Sequence, residues 1–377
     1  MKKILSRVLF VLVAMAIGYG IGYAIGHLIT PDESASNESF GIGQIVLTIG
    51  LAFVEFIVAF FVNTILHEAG HLVGGLMTGY QFLSFRVGSL TLQKDNDGWH
   101  WKRYSINGTL GQCLMAPPHT EELPYFWYNA GGVLVNLLIA LVSALLLLFC
   151  SLGVFASIVC IMLLVNALFM FITNGIPLKV GGVPNDGMNL LTLWKHPEQR
   201  KHFHDMMAVV AAQSGGQRLK EMPQEWFESK PMTAQSSVME ISARSYYYSR
   251  LIDEFRFDEA REITEEMMSH EGTLPGMFQL EVASDRLLLE LLTLNRFEVV
   301  AELWDKKVAR MAVSKYIQAH KKYMPLKCAV LFAYEFINNQ NPSAAEAYYN
   351  EVKSKQDSYT QPGEALTALA IMEEIRR

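Results

Sequence analysis

The residues best suited to chemistry are His67, Glu68 and His71, in Asn63-Thr64-Ile65-Leu66-His67-Glu68-Ala69-Gly70-His71, an HExxH pattern inside an apolar run. Residues four apart in a helix share one face a turn apart, so both imidazoles can reach a single zinc ion. Glu68 stands beside them to accept a proton from water at the metal, which is what a metallohydrolase needs. Two histidines and a glutamate in an apolar span are costly unless something satisfies them, and a zinc ion does. A catalytic zinc takes three protein ligands and keeps one position open. The third is expected from another span that ends on the same side of the bilayer. Asp186 lies in Asn185-Asp186-Gly187, after Pro177 and the Gly181-Gly182 pair, which break the helix and free backbone groups to line a cavity. It is either the third ligand or part of an ordinary Asp-Gly turn in a cytosolic loop.

These residues need a membrane scaffold to position them. The chain has 377 residues, 51% hydrophobic and 18% charged, with a net charge of -6. That excludes a disordered chain and gives no basic field for a nucleic acid. Residues 1–195 hold 9 basic and 10 acidic side chains, whereas 196–377 hold 22 and 27. Such a contrast predicts a membrane domain over 1–195, a Gly- and Pro-interrupted linker over 196–231, and a cytosolic helical domain over 232–377. Four apolar stretches are long enough to cross the hydrocarbon, Ile4 to Ile29, Ile45 to Met77, Ala130 to Leu152 and Val154 to Pro177. The first is longer than a signal-peptide core and reads as a retained span, with Gly18, Gly22 and Gly26 offering a close-packing face. Lys2 and Lys3 precede it, Arg7 stands at its start and only acids follow it, so the positive-inside rule places the N-terminus and the C-terminal domain in the cytosol. Glu55 lies within the second span, either near its outer end or beside a partner or water path. Four scattered cysteines form neither a disulfide framework nor a zinc-binding pair.

The combination resembles the site-2 protease family of intramembrane zinc metalloproteases. The likeness rests on three parts: His67 to His71, the Gly131-Gly132 to Asn136 segment, and Asn174 through Pro177 to Asp186-Gly187. It covers about residues 43 to 195. The resemblance implies a three-helix catalytic core in the bacterial cell membrane. It also implies one zinc held by His67, His71 and Asp186, with Glu68 as base and then acid, and with Asn136, Asn174 and Pro177 supporting the site. Asn174 precedes Asp186 by twelve positions, longer than the family's common spacing, so a short insertion around Lys179 to Gly182 must loop out. The segment Gly111-Gln112-Cys113-Leu114-Met115 resembles the family's glycine-containing loop beside the active site.

Between the second and third spans, Phe82 to Gln93 and Trp99 to Tyr104 flank Asp95-Asn96-Asp97-Gly98, which predicts a β-hairpin. Its edge could hold an unwound substrate in extended form. Helical periodicity then recurs over Ser242 to Phe255, Asp258 to His270, Gln279 to Leu294, Phe297 to Val313, Tyr316 to Ile337 and Ser343 to Lys355. The turn pair Arg256-Phe257 returns as Arg296-Phe297, and Asn341-Pro342 marks a third turn, a spacing close to helical repeats. The expected fold is thus an all-α membrane protein of about four transmembrane helices with a cytosolic hairpin insertion, followed by a TPR-like domain of helical hairpins. His202 and His204, two apart, read as surface residues at strand spacing. The function expected is cleavage of a membrane protein or signal peptide within or near its transmembrane segment, in contact with lipid and with no nucleic acid. A cytosolic partner could bind the tail. The alternative is a non-catalytic membrane scaffold that recruits a partner through its helical tail.

Overall fold

The computed structural model describes residues 42–377 except 96–97, 104–109, 121, 181–182 and 309–310. The first expected span and its glycine face lie outside the described residues. Among the described residues, three helices form the apolar part, α1 (Ile42–Met77), α2 (Tyr125–Phe149) and α3 (Val154–Gly175). Each is long and apolar enough to cross a membrane, over Gly50–Met77, Tyr125–Phe149 and Val154–Gly175. Their outward surfaces keep Phe53, Leu138, Leu148 and Phe155 exposed, as a hydrocarbon solvent demands. Their inward surfaces carry small or amide residues. Gly70 and Gly131 sit backbone against backbone, and Gly74 meets the Trp127 carbonyl, so α1 and α2 approach where no side chain intervenes. Asn63 and Asn166, both buried between helices, donate to the Ala59 and Met162 carbonyls of their own helices at 2.9 Å each. Glu55 is half-buried in α1, and one of its carboxylate oxygens has no hydrogen-bond partner among the described residues.

The expected hairpin is a four-stranded antiparallel sheet, β1 (Gln81–Val87), β2 (Leu90–Asp95), β3 (Gly98–Arg103) and β4 (Gly111–Ala116), in the order β3-β2-β1-β4. The stretch Phe82 to Gln93 therefore splits into two strands. Gly88, at a φ of 62°, supplies the left-handed turn a two-residue hairpin needs, and Val87 pairs with Leu90 across it. The family-like loop at Gly111 to Met115 is strand β4, paired with β1 and not a loop.

Beyond α3 a two-strand hairpin, β5 (Lys179–Val180) with β6 (Val183–Pro184), accommodates the insertion and returns the chain to α4 (Asp186–Lys195). The stretch expected as a linker contains α5 (Gln199–Ser214), which buries Phe203 and Met207 in one cluster with Cys113 and Met115 of β4 and Met239 of the tail. His202 and His204 thus lie on a helix, not at strand spacing, and His204 bonds Asp205 at 3.0 Å.

The tail is helical, with α6 (Val238–Asp253), α7 (Phe257–Ser269), α8 (Gly276–Leu292), α9 (Phe297–Asp305), α10 (Val313–His320), α11 (Pro325–Ala333), α12 (Pro342–Ser354) and α13 (Pro362–Ile375). Ser237 and Glu240 form a capping box at the start of α6. Pro325, Pro342 and Pro362 each open a helix at its first turn, where a missing N–H costs nothing. Two expected helices are shorter than the periodicity suggested. Phe297 to Val313 stops at Asp305 for a small hairpin, β7 (Lys307–Val308) with β8 (Met311–Ala312), and Tyr316 to Ile337 is interrupted before Pro325. Helix α13 was not expected at all. A single core, with Leu287, Val330, Phe332 and Ile371 wholly buried, runs through these helices.

Candidate metal centre

The last third of α1 is helical through the HExxH segment, so His67 and His71 fall on one face, toward α2. Both imidazoles are buried, and their Nε2 atoms stand 3.1 Å apart. The carboxylate of Asp186 completes the group, with Oδ2 3.2 Å from His67 Nε2 and 3.4 Å from His71 Nε2. These three side chains could hold a metal ion.

Second partners orient each ring. The Tyr128 carbonyl lies 2.7 Å from His71 Nδ1 and can only accept, so that nitrogen carries a proton and Nε2 is left for the shared space. His67 Nδ1 donates to Asn136 Oδ1 at 2.6 Å, with the same consequence. Two bare nitrogens 3.1 Å apart with a carboxylate beside them repel one another unless a cation lies between. The spacing also suits zinc. Ligand bonds of about 2.0–2.1 Å at tetrahedral angles put donor atoms about 3.3 Å apart, close to the three separations observed. The donor set, two imidazoles and a carboxylate, leaves one position open on a tetrahedral ion.

Backbone closeness makes the arrangement possible. Gly132 of α2 lies directly behind the pair, where a Cβ would stand 2.6 Å from both His67 Cε1 and His71 Nε2. Asp186 is placed by its neighbour Asn185. That side chain accepts from the Met188 N–H at 2.9 Å as the N-cap of α4, and from Leu178 N–H at 3.1 Å. Its amide nitrogen donates to the Thr173 and Ile176 carbonyls at 2.7 Å each, so one residue pins the hairpin and α4 to the end of α3. Gly187 packs against the Gly175 and Asn174 carbonyls, which draws α4 onto the same helix end.

Glu68 is buried on the side of the strands. Its carboxylate faces Gly111 and takes a backbone hydrogen bond from Cys113, both on β4. The Tyr128 hydroxyl donates to the Cys113 carbonyl at 2.9 Å, closing the strand over the site. Of the supporting residues named from sequence, Asn136 touches the cluster. The Asn174 amide nitrogen donates to the Met170 carbonyl of its own helix at 3.1 Å. Pro177 lies exposed just past the end of α3. Asn185, Gly132 and Gly111 stand in segments that the sequence singled out, but their own roles, and that of Tyr128, were not read from it. Asn185 carried a readable sign, an N-cap residue directly before Asp-Gly, whereas the other three act through backbone atoms or the absence of a side chain.

Compared with models of known protein families, with curated proteins and with solved structures, the chain matches none.

Proposed function

We propose that this chain is an intramembrane zinc metalloendopeptidase of the site-2 protease type, cleaving a peptide bond within or near the transmembrane segment of a membrane protein or signal peptide. The observation that carries this reading is the convergence of His67 Nε2, His71 Nε2 and Asp186 Oδ2, with Glu68 adjacent, at one end of apolar membrane-length helices. His67, His71 and Asp186 would hold the ion. Zinc, when bound, supplies a Lewis acid that acidifies water and polarises the scissile carbonyl. Glu68 takes the proton from the attacking water and delivers it to the leaving amine. Asn136 and the Tyr128 carbonyl keep both imidazoles in the tautomer that presents Nε2. The Gly70–Gly131 contact keeps α2 close enough for this, and the packed apolar helices keep bulk water from the site.

Zinc content of detergent-purified protein, wild type beside Asp186→Ala, tests the site, and Glu68→Gln tests the chemistry. The reading expects about one zinc per chain, lost or weakened in Asp186→Ala, and cleavage abolished in Glu68→Gln with folding retained. Zinc unchanged by Asp186→Ala removes that ligand. A Glu68→Gln protein that keeps its full biological effect leaves only the scaffold.

A further inference from the structure

Between the sheet and the helical tail lies a cavity of about 940 Å³, large enough for several side chains of a bound segment. One wall is strand β3, an edge strand whose Trp101 is 68% exposed. Nearby, Lys102 of the same strand reaches the Asp357 and Tyr359 carbonyls of the tail at 3.0 and 3.1 Å. The floor is built from the inward faces of α6, α8, α10 and α13, and it is acidic, with Glu281, Asp285 and Glu364.

The floor is short of positive charge. Lys327, fully buried, is the cation that meets these acids, donating to Glu281 at 2.7 Å and to Asp285 at 2.9 Å. Tyr316 and Tyr248 hydroxyls supply further bonds to Glu281 and Asp285. Among the described residues, the Glu364 carboxylate has a hydrogen bond only from the Leu326 amide, at a long 3.4 Å, yet the residue keeps accessible surface. Three carboxylates around one ammonium leave room for a second cation at Glu364. Burial, with the Glu281 charge beside it, pushes the Glu364 carboxyl up to about 7, as expected of an acid awaiting a counter-charge. The mouth has the opposite character. Arg103, Lys322 and Lys355 line it, and Lys355 is already paired with Glu351 at 2.9 Å. A polycation is repelled there, whereas a single basic side chain on an apolar segment passes.

We infer that this cavity binds an extended, apolar peptide segment carrying one Lys or Arg, with the basic group on Glu364 and an apolar or cationic side chain against Trp101. Segments of that composition flank the cytosolic ends of membrane helices. Three strand spacings, roughly 14 Å, separate β3 from β4, which faces Glu68, so about five extended residues cover the distance. The occupant is therefore the juxtamembrane segment of the substrate. That last assignment rests on the protease reading, while the binding itself does not.

The test uses the full-length Glu68→Gln protein in detergent and fluorescein-labelled pentapeptides Leu-Val-Xaa-Val-Leu, with Xaa as Lys, Glu or norleucine, plus pentalysine, read by anisotropy. The Lys peptide is expected to bind at least tenfold more tightly than the other three. Glu364→Gln should weaken it about tenfold, the value of one charge-assisted hydrogen bond, and Trp101→Ala, an exposed substitution, should weaken it independently of folding. Equal binding of the Lys, Glu and norleucine peptides, tighter binding of the Glu peptide or pentalysine, or a Lys-peptide affinity unmoved by both substitutions overturns the proposal. Zinc content and cleavage do not enter these readings, so failure of the peptide site and failure of the metal site are separately visible.

Discussion

Replacing Gly132 with alanine places the sharpest demand on the proposed centre. The new methyl would stand 2.6 Å from His67 Cε1, 2.6 Å from His71 Nε2 and 2.8 Å from His67 Nδ1. Carbon contacts settle at about 3.5–4.0 Å, so the rings must retreat by roughly 1 Å. Neither ring has slack, since His67 is tied to Asn136 at 2.6 Å and His71 to the Tyr128 carbonyl at 2.7 Å. Metal–ligand distances tolerate only about 0.2 Å. Zinc affinity should therefore fall at least as far as when an orienting partner is removed, by about 10- to 100-fold. Helix propensity works the other way, favouring alanine over glycine by about 1 kcal/mol, so a loss of zinc cannot be blamed on a weakened helix. Gly50→Ala is the matched control, because nothing lies within 4 Å of its new methyl. Competition against a chromophoric chelator in detergent, with circular dichroism to confirm the fold, gives the answer. A Gly132→Ala protein whose zinc affinity stays within threefold of wild type would refute this placement of the histidines.

Three further outcomes are expected. Asn136→Ala frees the His67 ring and should lower zinc affinity about 10-fold or more, measured by the same competition, while leaving helix content unchanged. Asn185→Ala removes the cap of α4 together with its bonds to α3, and the lost cap alone is worth about 1 kcal/mol; weaker zinc binding and a lower thermal midpoint should appear together. Glu364 gives a pH signature, since burial first, and then the Glu281 charge against the opposing Lys327, raise its carboxyl from near 4.5 to about 7. A raised acid means the folded state holds the extra proton, so this group's stabilisation is full below about 4.5 and is lost as pH climbs to about 7. The difference in unfolding midpoint between wild type and Glu364→Gln, followed by thermal denaturation from pH 4 to 8, should move against wild type across that window, and a flat difference excludes the assignment.

The two histidines could be read in the sequence because their chemistry is encoded locally, in one helical turn within an apolar run. Asp186 was legible for a different reason, since Pro177 and the paired glycines announce a broken helix before it. What could not be read depends on atoms that every residue carries. The carbonyl that fixes His71 belongs to Tyr128, and any side chain there would offer the same group. The strand form of β4 was not read because Gly111, Gln112, Cys113 and Met115 have little strand character, and its partner β1 is supplied from 24 to 35 positions earlier by tertiary pairing. Helix α5 was hidden by its polar composition and by the Gly215-Gly216 pair that follows it, while its apolar face, Phe203 and Met207, is visible only once the sheet is there to receive it.

The closure of β4 over Glu68 divides custody of the site. The imidazoles answer to α2, through Asn136, Tyr128 and Gly132, all at the level of the apolar helices. The glutamate answers to a strand outside those helices, and that strand is packed on α5 at the entrance to the tail. On the proposed function, loading the metal and readying the base would be two separable acts, governed from two sides of the same helix. A methyl added at Gly111 would meet Glu68 first, so on the proposed function Gly111→Ala should yield a protein full of zinc yet slow to turn over; equal loss of both would show that one body controls them.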